Sequence, residues 1–300
     1  MAQEAIVREL LHWIETNLSK PLSIDDIANR AGYSKWHLQR MFKDITGHAM
    51  GAYLRARRLT RSAHDLRSTN RSILDIALHY CFDSQQTFTR AFKTQFDRTP
   101  AQYRRLEEWD CSGMQPPLLR LYNQQLPEPT FVQLPDIPLR GSTVSYSISY
   151  RRDGTLKPRA VLQHWQKFRN LFTADKPVPP RFYALLSGET KKTNEDEQQL
   201  YYTCAVDANY ALEEGKLSDH SIPAGEYARF TYVGSFRGLT EFIVHVYCDV
   251  MPMHKLTRRA GPDIEIFPTS PERPMEFGII QCDYCIPIRH PEEPVPEESE

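Results

Sequence analysis

The chain has 300 residues, 40% of them hydrophobic, which is ample for packed cores and, at common domain sizes, suggests about two domains. No apolar run approaches the roughly 18–20 residues of a membrane span, and the opening MAQEAIVREL lacks a basic region followed by an apolar one; neither a membrane protein nor an exported one is expected, and the six scattered cysteines read as reduced thiols of a cytoplasmic protein. The net charge of −1 hides an asymmetry: residues 1–106 carry 17 Lys and Arg against 10 Asp and Glu, the remainder 20 against 28, a pattern that suggests a polyanion-binding module joined to a module with a different partner.

The first 106 residues read as nearly all helix. Ile6, Leu10, Trp13, Ile14 and Leu18 mark an amphipathic opening helix. Ser23, with Asp26 three residues on, reads as an N-cap with a capping box, and Gly32 ends the helix over 24–31. Ser34 caps the next helix and Gly47 stops it. In that helix Leu38, Met41, Phe42 and Ile45 form an inner stripe, while Trp36, Gln39, Arg40 and Lys43 face outward.

The same unit recurs about 50 residues later. Ser72 and Asp75 repeat the cap, Ile76-Ala77 repeats Ile27-Ala28, and Phe88-Thr89-Arg90-Ala91-Phe92-Lys93 repeats Leu38-Gln39-Arg40-Met41-Phe42-Lys43. Gln86, Thr89, Arg90 and Lys93 then occupy the outward positions. Between the units, residues 50–67 form a helix with Ala52, Ala56, Leu59, Ala63 and Leu66 on one face and Arg55, Arg57, Arg58 and Arg61 elsewhere. At 1.5 Å per residue it spans about 27 Å, enough to hold two reading helices about one DNA turn apart.

After Arg105 the character changes. Residues 107–118 (EEWDCSGMQPPL) read as a linker, with reversed charge, a Gly and paired Pro. Residues 119–289 alternate strand and helix signals as β-α-β-β twice, giving an α+β domain on an antiparallel sheet: 142–150, the helix 158–172, RFYALLSG and QLYYTCAVDAN, then EYARFTYVG, a helix through Leu239 to Val250 broken at Pro252, DIEIF and 275–289. The tail 290–300 is acidic, Pro-rich and expected to be disordered.

The repeated YSKWHLQRMFK and FDSQQTFTRAFK units, with the closing TPAQYRR, resemble the AraC/XylS family of bacterial transcription regulators over about residues 5–106. One departure is Asp97, where that family usually carries Gly; Asp tolerates the left-handed conformation, so the turn is expected to survive. IPAGEYARFTYVG (222–234), PDIE (262–265) and CIPI (285–288) resemble a GyrI-like effector-binding domain.

Together these resemblances imply an activator of a stress, multidrug and solvent resistance type that binds double-stranded DNA, contacts RNA polymerase and answers to a small hydrophobic or amphipathic effector. Outward side chains at a helix N-terminus can reach base edges, so Trp36, Gln39, Arg40, Gln85, Gln86 and Arg90 are the candidates for base contact. Ser34, Lys35, Lys43, Arg55, Arg61, Thr87, Thr89 and Lys93 are the candidates for the DNA backbone. Two unequal reading helices on one polypeptide suit a monomer on an asymmetric site. Family pockets are aromatic-lined around a buried Glu, which points to Tyr146, Trp165, Tyr183, Tyr232 and Glu265, with Phe267 altering the pocket's shape. A buried Glu265 needs a partner, and desolvation would raise its pKa.

Other chemistries have weaker claims. Cys282-Asp-Tyr-Cys285 falls in a strand, where residues three apart point to opposite faces, so no metal site is expected. No cofactor motif, P-loop or HExxH occurs in the sequence, and the protein is not expected to be an enzyme. Two alternatives remain open for the second domain: a hydrolase using Glu265 as general base, and a protein-interaction or sequestration module with an empty pocket.

Overall fold

In a computed structural model the structure describes residues 2–69, 71–111, 113–118, 127–149, 158–172, 178–190, 197–210, 217–269 and 279–289. The tail 290–300 lies outside them. The chain divides into two compact units: one from residues 1–106, 111–126 and 246–254, the other from 107–110, 127–245 and 255–300. Residues 107–110 group with the second unit and 111–126 with the first, as do 246–254 from deep inside the second sequence domain.

The first unit is built from α1 (Ala2–Glu15), α2 (Ile24–Ala31), α3 (Lys35–Thr46), α4 (Met50–Ser68), α5 (Ile73–His79), α6 (Gln85–Phe96) and α7 (Pro100–Arg104). Local chemistry sets most of its boundaries. The Ser23 hydroxyl accepts from the Asp26 amide at 3.0 Å and the Asp26 carboxylate accepts from the Ser23 amide at 3.0 Å, so two orphan donors of the first turn are satisfied. The Ser23 hydroxyl, donating to the Asp26 carboxylate at 2.6 Å, and then the Ser23 amide hold that carboxyl below its usual range. Ser34 and Ser84 cap α3 and α6 by accepting from the amides of His37 and Thr87, and Gly32 and Gly47 end α2 and α3 at φ of 71° and 75°. Leu38, Met41 and Phe42 on α3, and Phe88 and Phe92 on α6, are buried as the repeat implied.

Asp97 closes α6 in the left-handed conformation at φ 55°. Its Cβ is strained there, and its negative charge sits at the unfavourable end of the helix dipole. Asp97→Gly should raise the stability of the helical unit by about 0.5–1 kcal/mol, net of the flexibility glycine adds to the unfolded chain, as read by urea denaturation.

The face of α4 differs from the sequence reading. Ala52 is exposed, whereas Tyr53, Leu54, Arg57, Thr60, Ser62 and His64 are buried with Leu59, Ala63 and Leu66. Small alanines define a stripe weakly, and this helix is covered on more than one side. Arg57, placed by the sequence off that apolar face, is fully buried.

The second unit carries one antiparallel sheet: β1 (Trp109–Asp110), β2 (Thr130–Leu134), β3 (Ile137–Ser149), β4 (Arg181–Thr190), β5 (Glu197–Asp207), β6 (Ser218–Ile222), β7 (Gly225–Gly234), β8 (Thr257–Arg258), β9 (Asp263–Pro268) and β10 (Ile280–Arg289). Strand order runs β6-β3-β5-β4-β9-β10-β7-β2; β8 pairs the far end of β10 and β1 pairs β8. With α8 (Pro158–Arg169) and α9 (Phe236–His245), the repeat is β3-α8-β4-β5 followed by β7-α9-β9-β10. Strands β1, β2, β6 and β8 lie outside that repeat and had no place in the sequence reading.

Each face of the sheet has its own core. Trp165, Phe168, Phe182, Tyr202, Cys204, Leu239, Phe267 and Cys282 cluster on one face, and Tyr183, Leu185, Tyr227, Ile264 and Cys285 on the other. The two cysteines of the CxxC thus fall in opposite cores, as strand alternation requires. A buried thiolate is poorly solvated, so burial pushes Cys285 up to about 12 and Cys204 and Cys282 upward too.

Candidate DNA interface and effector core

On α3 the N-terminal turn is exposed. Trp36 leaves 67% of its surface in solvent, and Arg40, four residues on, holds its guanidinium 5.6 Å from the indole centroid. Arg40 also lies 3.7 Å from Asp44, an exposed pair that water and salt screen heavily. Gln39 is half-buried and Lys43 exposed. Ser34 is tied up as the cap, and Lys35 pairs with Asp25 at 2.9 Å.

On α6 the corresponding side chains Gln85, Gln86, Arg90 and Lys93 are exposed and Thr89 half-buried. Thr87 is exposed, with its hydroxyl 2.9 Å from that of Ser84. Two capped helices therefore present matched faces of cations, amides and, on α3, an indole. Arg55 on α4 is exposed as well.

Arg61 is placed differently from its reading as a phosphate contact. It is half-buried; burial works against its charge, but Cys248 and Asp249 outweigh that and raise its pKa.

In the second unit the core beneath α8 centres on Glu265. This carboxyl is 3% exposed and accepts from the Tyr202 hydroxyl at 2.6 Å; that hydroxyl in turn accepts from the Trp165 indole N–H at 2.8 Å. Burial pushes the Glu265 carboxyl up to about 7, against the opposing effect of the Tyr202 hydrogen bond. The Trp165 ring meets Phe267 at 5.1 Å and Phe182 at 6.2 Å, both edge-on. The structure thus brings Trp165 and Glu265 together through Tyr202.

The other expected members are distributed. Tyr232 packs at the margin of this core, 5.0 Å from Phe242 of α9, with its hydroxyl donated to the Ser235 carbonyl at 2.7 Å. Tyr183 belongs to the opposite face, where its hydroxyl donates to Asp207 at 3.3 Å, so it is not part of the Glu265 site. The Tyr146 side chain lies outside the described residues. Tyr202 and Phe182 were missed; each adjoins another aromatic, Tyr201 and Tyr183, and alternation alone cannot say which of two neighbours faces a given core.

Beside this core a groove of about 640 Å³ runs between α8 and β3. Phe168 is shared with the aromatic cluster, while Ser145, Gln163, His164 and Lys167 supply polar walls. The His164 ring nitrogen Nε2 lies 2.8 Å from the Ser142 carbonyl. Among the described residues no helix is long and apolar enough to cross a membrane.

Residues 27–106 match the model of a helix-turn-helix domain, and residues 127–289 match that of the GyrI-like small molecule binding domain. The transcriptional regulator Rob of Salmonella typhimurium is 48% identical over 96% of this chain and 100% of its own length. The chain belongs to the Rob family of AraC-type transcription regulators. The right origin-binding protein of Escherichia coli K12, 49% identical over the same shares, has the same reach. Regulatory protein SoxS of Escherichia coli, 49% identical, aligns over 97% of its own length but 35% of this chain. As a member of the Rob family, this protein is a DNA-binding transcription regulator.

Proposed function

We propose that the protein activates transcription as a monomer whose α3 and α6 enter two adjacent major-groove segments of a promoter, with RNA polymerase as its protein partner. The observation that carries this reading is the pair of exposed, Ser-capped helix faces at Trp36/Gln39/Arg40/Lys43 and Gln86/Thr89/Arg90/Lys93. A guanidinium can take both guanine acceptors, O6 and N7, and a carboxamide can pair with adenine. The exposed Lys43, Arg55 and Lys93 suit phosphates, whose neutralisation makes affinity salt-dependent.

Arg40→Ala should cost about 1–3 kcal/mol on a selected duplex and relax preference at one base position. Equal weakening on selected and random DNA would leave Arg40 only a phosphate contact and remove it from base reading.

The effector is a small amphipathic molecule held in the second unit. Support comes from the aromatic walls around Glu265 and from the carboxyl itself, a buried acid that accepts from the Tyr202 hydroxyl. An occupant carrying a donor could replace or add to that bond while its apolar body meets Trp165 and Phe267. Isothermal titration of the wild type and of Trp165→Ala with an amphiphile panel tests this; equal affinity in both proteins places the ligand elsewhere.

A further inference from the structure

The chain after α9 contains a π-turn, Val246–Val250, and a short helix α10, Met251–Met253, and every residue of the π-turn is buried. These residues lie within the GyrI-like match, yet they group with the DNA-binding unit. What holds them there is Arg57 of α4. A guanidinium has five N–H donors, and all five are used. Nε donates to Glu15 Oε1 at 2.9 Å, and Nη2 donates to Glu15 Oε2 at 2.8 Å and to Asp249 Oδ1 at 2.7 Å. Nη1 donates to the Cys248 carbonyl at 3.1 Å and to the Gln115 carbonyl.

The Cys248 carbonyl is available for a local reason. Pro252, four residues on, has no N–H to give it, and Arg57 supplies a donor. Further ties surround the cage. The Tyr53 hydroxyl donates to Glu15 at 2.6 Å and accepts from the Leu118 amide at 3.2 Å, and His64 meets the Tyr247 ring at 5.9 Å.

We propose that Asp249 is a positioning residue for DNA reading: by closing the cage around Arg57 it sets α4, the helix that separates α3 from α6, and so governs how well both helices engage one duplex. A buried charge with every donor satisfied tolerates little displacement, since any shift leaves a donor or a carboxylate unpaired. The inference rests on the two-helix reading given above.

The test uses the full-length protein, with duplexes selected by the wild type from a random-sequence pool and then shortened to a single segment. Wild type should prefer the two-segment duplex. Asp249→Ala should bind that duplex about tenfold more weakly and the single-segment duplex within twofold of wild type. Asp249→Asn keeps an oxygen acceptor and should recover most of the preference. Arg57→Lys keeps the charge without the fork and should lose preference as Asp249→Ala does, which serves where the alanine variant does not fold. Wild type binding both duplexes equally sinks the two-helix reading and the inference with it. A wild-type preference unchanged in Asp249→Ala or Arg57→Lys, or an equal loss on both duplexes, sinks the inference alone.

Discussion

Arg57→Ala is expected to destabilise the helical unit by about 3–5 kcal/mol, which should appear as a lower urea midpoint in the loss of far-ultraviolet helical signal. The size follows from what is left behind. Glu15 and Asp249 would keep two buried carboxylates with their shared cation gone, and the carbonyls of Gln115 and Cys248 would lose a donor. Burial by itself lowers the Arg57 pKa, but Glu15 and then Asp249 outweigh it, so the charge is held in the folded state.

The same reasoning separates charge from shape. Arg57→Met combined with Glu15→Gln and Asp249→Asn removes the three charges together and should recover a large part of the loss, because well-packed neutral residues can replace a buried ion cluster at little cost. A triple variant no more stable than Arg57→Ala would mean that the fork geometry matters more than the charge balance.

Glu265→Gln should stabilise the second unit near and above neutral pH by about 3 kcal/mol, the equivalent of moving a carboxyl from 4.5 to about 7 at 1.36 kcal/mol per pH unit. The sign follows from proton binding. Folded Glu265 holds its proton up to about pH 7, while the unfolded side chain releases it near 4.5. Between those values the folded state binds more protons, so this group's contribution falls as pH rises from about 4.5 and levels off above about 7. Denaturation midpoints measured from pH 4.5 to 8 should decline in the wild type and lie flatter in Glu265→Gln, whose amide oxygen can still accept from Tyr202. Parallel profiles would mean that Glu265 is ionised in the folded protein across the range.

How much of this was legible in the sequence depends on how local each cause is. Ser23, Ser34, Ser72, Gly32 and Gly47 act within one turn of their own position, so the helix-turn-helix units and their outward faces could be read directly. The repeat β3-α8-β4-β5 and β7-α9-β9-β10 was legible for a similar reason, since each element is long enough to show its period. Two-residue strands such as β1 and β8 have no period to show.

The misreadings share a physical origin in burial on more than one side. RFYALL offers apolar residues to both faces of a sheet that is covered on both, so nothing in the pattern sends Tyr183 away from Glu265 and Phe182 toward it. Arg57 and Arg61 look like two more basic residues of a basic helix. The partners of Arg57, Glu15 and Asp249, lie 42 and 192 residues away from it, a separation no local window spans.

Cysteine accessibility has a practical consequence. Five of the six thiols are buried, and Cys248 is pushed up to about 12, as Cys285 is; such sulfurs are neutral and shielded at ordinary pH. Cys81 alone is half-exposed, in a left-handed turn of φ 63° between α5 and α6. A maleimide dye applied to the native protein should therefore attach at one place, beside the second reading helix, and supply a fluorescent reporter without any engineered substitution.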